Sequence, residues 1–164
     1  MTRIPGQKAE HDGHPASDVT TGARGRGRRV GNDLRRDGSV PDRLLEGLRV
    51  LVAEDNVILS MHLAGLLEEA GAIVVGPFPF ASEALGAIEK EVPDAAMLDY
   101  ELGEGSSAPI AERLAATGVP FAFFTSHVAE DLKPWSDTAP VLAKPADQAG
   151  VLRVMSEVLA QRAS

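Results

Sequence analysis

Three short apolar runs in this 164-residue chain end abruptly in charged side chains. Leu48-Arg49-Val50-Leu51-Val52-Ala53 runs into Glu54-Asp55, Asp94-Ala95-Ala96-Met97-Leu98 into Asp99, and Pro140-Val141-Leu142-Ala143 into Lys144-Pro145. Continuous apolar runs of this length read as parallel strands buried on both faces. In open α/β sheets ligands bind outside the carboxyl ends of such strands. Three acids and a lysine at those ends describe a pocket for a divalent metal and a phosphoryl group.

The segments between the runs have helical spacing. Leu48–Ala53 is predicted as the first strand. Residues 58–70 follow as a helix, with Ile58, Leu59, Leu63, Leu66, Leu67 and Ala70 on its apolar face and Gly71 as its stop. Ala72–Gly76 is the second strand, and Ser82 caps a helix running to about Lys90. Ala95–Asp99 is the third strand. A Gly/Ser loop over 103–107 leads to a helix near Pro109–Ala116, which Gly118-Val119-Pro120 breaks before a fourth strand, Phe121–Thr125. Pro134, Trp135 and Pro140 argue against a regular helix before the fifth strand, Val141–Ala143, so one helical turn or a loop is expected near Ala129–Lys133. A last helix from about Asp147 carries Val151, Leu152, Met155, Val158 and Leu159 on one face. Strands alternating with helices of this length predict an α/β fold with a doubly wound, five-stranded parallel sheet of flavodoxin-like order.

Residues 1–46 differ in kind. They lack periodicity, contain the run Arg24-Gly25-Arg26-Gly27-Arg28-Arg29 and carry a net charge of +2, against −10 for residues 47–164. The expected division is a disordered Arg/Gly-rich extension over 1–46 and one domain over 47–164. The acidic domain is a poor nucleic-acid binder. The chain has no cysteine, which excludes disulfides and thiolate metal sites. It has no apolar stretch of membrane-spanning length and no secretory h-region, so a cytoplasmic protein without membrane contact is expected. Neither a Gly-x-Gly-x-x-Gly nor a Gly-x-x-x-x-Gly-Lys-Ser/Thr loop occurs, which argues against a nucleotide cradle.

A carboxylate can attack a phosphoryl group once the repelling charge is neutralised. Mg²⁺ does this with one or two carboxylates and retained waters. Asp55 and Asp99 can provide those carboxylates, Glu54 more readily through a water, while Lys144 and the Thr125 hydroxyl can hold phosphate oxygens.

Glu54-Asp55, Asp99, Thr125 and Lys144-Pro145, in this order and each at a strand end, resemble the receiver domains of two-component response regulators, over roughly Leu48 to Arg162. The resemblance implies Asp99 as phosphoacceptor and Thr125 as the switch hydroxyl. It implies Lys144 as the phosphate-holding lysine, before a cis peptide bond to Pro145. It further implies Mg²⁺ held by Asp55, Asp99, Glu54 and the backbone carbonyl of Glu101. The donor would be a histidine kinase or histidine phosphotransfer protein and the output a contact with an unidentified downstream protein. The alternatives are a phosphate sink for a shared kinase or a phosphorylation-independent interaction module.

Nothing follows the last predicted helix, so a stand-alone receiver without DNA-binding or enzymatic output is expected; the oligomeric state is left open. Position 101 is Glu where aspartyl-phosphate hydrolases often carry a second Asp, which argues against an enzyme. Val141 stands where many receivers carry an aromatic switch. Val119-Pro120-Phe121-Ala122-Phe123-Phe124-Thr125-Ser126 is similar to the FATGUY-type single-domain receivers of bacteria, with Phe124 and Ser126 departing from that motif. Glu101 and His127 are candidates for tuning the phosphate's lifetime. His62 is assigned to the surface, and Trp135 to a partner contact or a lid over the core edge.

Overall fold

The computed structural model describes residues 43–103, 105–126 and 132–162. Its elements are β1 (Arg49–Ala53), α1 (Val57–Glu69), β2 (Ile73–Phe78), α2 (Ala81–Lys90), β3 (Ala95–Leu98), β4 (Glu101–Leu102), β5 (Gly105–Ser106), α3 (Ala108–Ala116), β6 (Phe121–Thr125), a 3₁₀ turn (Lys133–Trp135), β7 (Val141–Ala143) and α4 (Gln148–Arg162). Strands β2-β1-β3-β6-β7 form one sheet in that order. Every neighbouring pair in it is parallel. This is the doubly wound receiver-type sheet expected from the sequence.

Alternate residues of each central strand feed opposite cores, as the period of two requires. Val50, Val52, Ala95, Met97, Ala122 and Phe124 face α1 and α4, meeting Leu63, Leu67, Val151, Met155 and Val158. Leu51, Ala53, Ala96, Leu98, Phe121 and Phe123 face α2 and α3, meeting Ala84, Ile88, Ile110 and Leu114. Burial on both faces explains why these strands read as unbroken apolar runs.

Several local expectations are corrected. The buried positions of α1 are Ser60, Leu63 and Leu67, whereas Ile58 is 79% exposed. Ile58 lies five residues before Leu63, about 140° around the helix, so it cannot share that face. Ser82 does not cap α2, because the helix already begins at Ala81, behind an extended Phe80 that offers no side-chain cap. β2 continues past Gly76 through a cis Gly76-Pro77 bond. A register shift opposite Leu51 and Ala53 accommodates it, on an edge strand where proline's missing N–H is tolerated. The Gly/Ser loop contains a short antiparallel ladder pairing Glu101 with Ser106 and Leu102 with Gly105. Leu44 and Leu45, assigned to the extension by composition, pack into the core, Leu45 with no exposed surface. Leu45 N–H and Gly47 N–H donate to the carbonyls of Ala70 and Gly71. The rest of the expected extension lies outside the described residues. Most of the expected turn at 129–133 does too; the 3₁₀ turn observed starts at Lys133, with Pro134 in its first positions, where a missing N–H costs nothing.

Candidate functional site

Sheet pairing brings the charged strand ends together. Glu54 N–H donates to Phe78 O (3.0 Å), Asp99 N–H to Ala53 O (2.8 Å) and Lys144 N–H to Thr125 O (3.1 Å), so each residue is held where its strand ends. Lys144 Nζ lies 2.5 Å from Glu54 Oε2 and 2.6 Å from Asp99 Oδ2. The side chains of Lys144, Glu54 and Asp99 are only 7%, 0% and 9% exposed. The ammonium also sits 5.3 Å from the centre of the Phe124 ring, at cation–π distance. The Lys144-Pro145 bond is cis, as expected.

The two partners of this contact respond differently. Burial pushes the Glu54 carboxyl above its ordinary value, and the hydrogen bonds from Lys144 and from Asn56 N–H recover only part of that cost. Burial pulls Lys144 downward, but hydrogen bonds to Asp99 and Glu54 outweigh it and hold the ammonium above its ordinary value. Lys144 is held upward because two carboxylates share its single ammonium, while at Glu54 burial prevails over the one cation nearby.

Asp55 stands on the exposed side of the site, where its Oδ2 accepts from Gly103 N–H at 3.0 Å. Carboxylate oxygens of Glu54, Asp55 and Asp99 all lie within 4.8 Å of one another. Three carboxylates against one ammonium leave two negative charges in excess, which a divalent cation would balance. The donor set is all oxygen, as Mg²⁺ prefers. Glu54 Oε2 is buried, and its contact is with the Lys144 ammonium that Asp99 also uses. On these grounds the residues fit a hard divalent ion.

Thr125, 2% exposed, ends β6, the strand next to β3 in the sheet. Glu101 is exposed on β4, and its carboxylate is not among the three that cluster. His62 is exposed on α1, as expected, and its Nε2 lies 3.1 Å from Ala146 O. His127 lies outside the described residues. Sequence reasoning missed Asn56, Gly103 and Phe124 as site residues. Asn56 caps α1 by accepting from Ile58 and Leu59 N–H, while its own N–H donates to Glu54 Oε1 at 3.0 Å. An Asn immediately before a helical pattern was a readable cap signal. The Gly103–Asp55 bond spans 48 residues and had no local signal.

No family model matches the chain. It is 31% identical over 85 residues to the transcriptional regulatory protein PdtaR of Mycobacterium tuberculosis, a match covering 51% of this chain and 42% of that protein. The chain thus spans less than half the length of this relative. The solved receiver domain of the PhyR response regulator of Erythrobacter litoralis is 26% identical, with a TM-score of 0.62 over 70% of this chain and 91% of that one. The solved structure of SdrG from Sphingomonas melonis Fr1 is 33% identical, with a TM-score of 0.60 over 69% of this chain and 97% of its own. The chain belongs to the response-regulator receiver domains. In this receiver the acidic cluster stands at the carboxyl ends of β1 and β3, flanked by Thr125 and Lys144 from the next two strands. No described helix of the receiver is long and apolar enough to cross a membrane.

Proposed function

We propose that this receiver takes a phosphoryl group onto Asp99 from a phosphohistidine of a kinase or phosphotransfer protein, in the bacterial cytoplasm, and signals by protein contact rather than by catalytic turnover. The observation that carries the reading is the nearly buried Asp99 carboxylate, 2.6 Å from the Lys144 ammonium and clustered with Glu54 and Asp55. An Asp99 oxygen attacks phosphorus, an acyl-phosphate bond forms and the P–N bond to the donor imidazole breaks. Asp55, Asp99 and the Glu101 backbone carbonyl would hold Mg²⁺, with Glu54 supporting it through a water. When bound, such an ion would supply neutralisation of the charge that otherwise repels a phosphoryl group from a carboxylate. Lys144 exchanges its contact with Asp99 for one with a phosphoryl oxygen, and the Thr125 hydroxyl donates to another.

A protein donor also needs a surface to dock on. Val57, Ile58 and Met61 are 68%, 79% and 68% exposed on the first turns of α1, directly after Glu54-Asp55. His62 on the same helix reaches the loop that follows Lys144. These apolar side chains at the rim favour docking there.

The test is intact-protein mass spectrometry after incubation with a small acyl phosphate and Mg²⁺, and separately with a phosphorylated histidine donor. One phosphoryl adduct is expected, absent without Mg²⁺ and absent from Asp99→Asn. An adduct that persists in Asp99→Asn, or none from either donor, refutes the assignment. Asp55→Asn should weaken Mg²⁺ binding at least about tenfold by titration calorimetry, since losing even an outer-shell partner of a metal ligand costs about that much.

A further inference from the structure

The turn that joins β2 to α2 meets the acidic pair twice. Its Phe78 carbonyl accepts from Glu54 N–H at 3.0 Å. Two residues on, the Phe80 ring lies against Gly103, whose N–H donates to Asp55 Oδ2 at 3.0 Å. A Cβ on Gly103 would sit 2.7 Å from Phe80 Cε1, 2.8 Å from Cδ1 and 3.2 Å from the Pro79 carbonyl oxygen. The ring edge thus packs directly on the Gly103 backbone, where any side chain would displace it. Gly103 also has φ +37°, in the region that favours glycine. Phe80 is 43% exposed, yet its backbone is fixed. It is the extended residue before α2, and its carbonyl accepts from Ala84 N–H at 3.3 Å. On the other side of the contact, Glu101 and Leu102 pair with Ser106 and Gly105, and Leu102 is buried in the core cluster that includes Ala84. Turn and ladder are therefore each anchored, and the Phe80–Gly103 contact lies between them.

Given the Mg²⁺ reading of Glu54, Asp55 and Asp99, on which this rests, we infer that Phe80 is a positioning residue for the metal site: its ring holds Gly103 where the Gly103 N–H orients Asp55. Asp55 is exposed, and a surface aspartate turns among rotamers unless a bond fixes it. Its bond to Gly103 spans 48 residues, so the direction of the carboxylate depends on where the β4 end of the ladder stands. The two atoms nearest a Cβ on Gly103 both belong to the Phe80 ring, so that ring sets the place of Gly103. Glu101, whose backbone carbonyl would be a further ligand, lies two residues earlier on the same ladder and would shift with it. Mg²⁺ demands near-octahedral geometry at about 2.0–2.1 Å, whereas Ca²⁺ accepts longer and more variable distances. A loosened Asp55 therefore penalises Mg²⁺ more than Ca²⁺, while a change in charge alone would penalise both.

The experiment is titration calorimetry of the full chain with Mg²⁺ and, separately, with Ca²⁺, beside amide hydrogen exchange in EDTA. Phe80→Ala should weaken Mg²⁺ binding about tenfold, the lower end for losing an outer partner of a metal ligand, and Ca²⁺ binding severalfold less. Without metal, the Gly103 amide should exchange at least severalfold faster in Phe80→Ala, because its bond to Asp55 opens more often. Phe80→Tyr keeps the ring and should keep the Mg²⁺ affinity and the slow exchange. Gly103→Ala leaves Phe80 in the chain but forces the ring away, and should show the same Mg²⁺-selective loss. An unchanged Mg²⁺ affinity in Phe80→Ala, or equal losses for the two ions, would overturn the inference and leave the metal site standing. So would unchanged exchange of the Gly103 amide. A parent that binds no Mg²⁺ would overturn both.

Discussion

Replacing Lys144 with Met removes the one cation between Glu54 and Asp99 while keeping most of the side-chain volume. A buried ion pair is often worth little against an apolar replacement, but removing one partner strands the other's charge. The cost has a ceiling, because Glu54 can take up a proton instead of remaining charged beside Asp99. Its ordinary value is 4.5. Each pH unit above that costs about 1.4 kcal/mol, giving about 3.4 kcal/mol at pH 7. This agrees with the roughly 3–5 kcal/mol found when buried pairs are broken.

The sign follows from proton counting. Burial already raises Glu54 in the parent, and Lys144→Met removes the contacts with Lys144 that lower it. In the variant, native Glu54 should therefore hold a proton from pH 4.5 up to a still higher folded value, while the unfolded chain does not. Native binds more protons than unfolded in that window, so stability falls as pH rises and recovers as pH falls. The difference from the parent should be about 3 kcal/mol at pH 7 and under about 1 kcal/mol at pH 5. Urea unfolding followed by circular dichroism, with EDTA present at both pH values, measures it. Adding Glu54→Gln to Lys144→Met should restore most of the loss at pH 7. A loss at pH 7 below about 1 kcal/mol, or one equal at the two pH values, would refute the view that a single ammonium holds two buried acids.

At the opposite end of the sheet Asp94 accepts from Arg49 N–H at 3.0 Å and from Arg162 at 2.7 Å. Burial raises its carboxyl, but these contacts prevail and hold it below the ordinary 3.8. Asp94→Ala should therefore cost about 1–2 kcal/mol at neutral pH, with the half-exposed Arg162 contributing least. That contribution is present above pH 3.8 and lost as pH falls through the lowered folded value, so denaturation midpoints of parent and variant should converge in acid. Gly76 has φ +108°, and a Cβ there would lie 2.8 Å from the Val52 carbonyl oxygen. Gly76→Ala should lower stability by about 1–3 kcal/mol, read as a shifted urea midpoint at unchanged slope.

The fold was legible in the sequence because strands buried on both faces must be apolar throughout. Val50–Ala53, Ala95–Leu98 and Phe121–Phe124 announce themselves, and the charges that end such runs mark where the sheet meets solvent. Glu54, Asp55, Asp99 and Lys144 could be singled out for that reason. Local pattern could not supply side-chain direction where a helix begins. Ile58 looks as apolar as Leu63 and faces the other way.

Composition likewise could not show that Leu45 closes the core beside Ala70, a contact made by a segment whose neighbours are polar. The identity of the strand-end residues, and hence the chemistry available, was determined by the sequence alone. The tertiary structure decided that Lys144 bridges Glu54 and Asp99, that Gly103 ties Asp55 down, and that four rings line up from Tyr100 to Trp135. The bond from Lys144 to Asp99 spans 45 residues, and its geometry follows from strand order and register. Hydrophobic periodicity carries which face of an element is buried, but not which element lies beside it or at what offset.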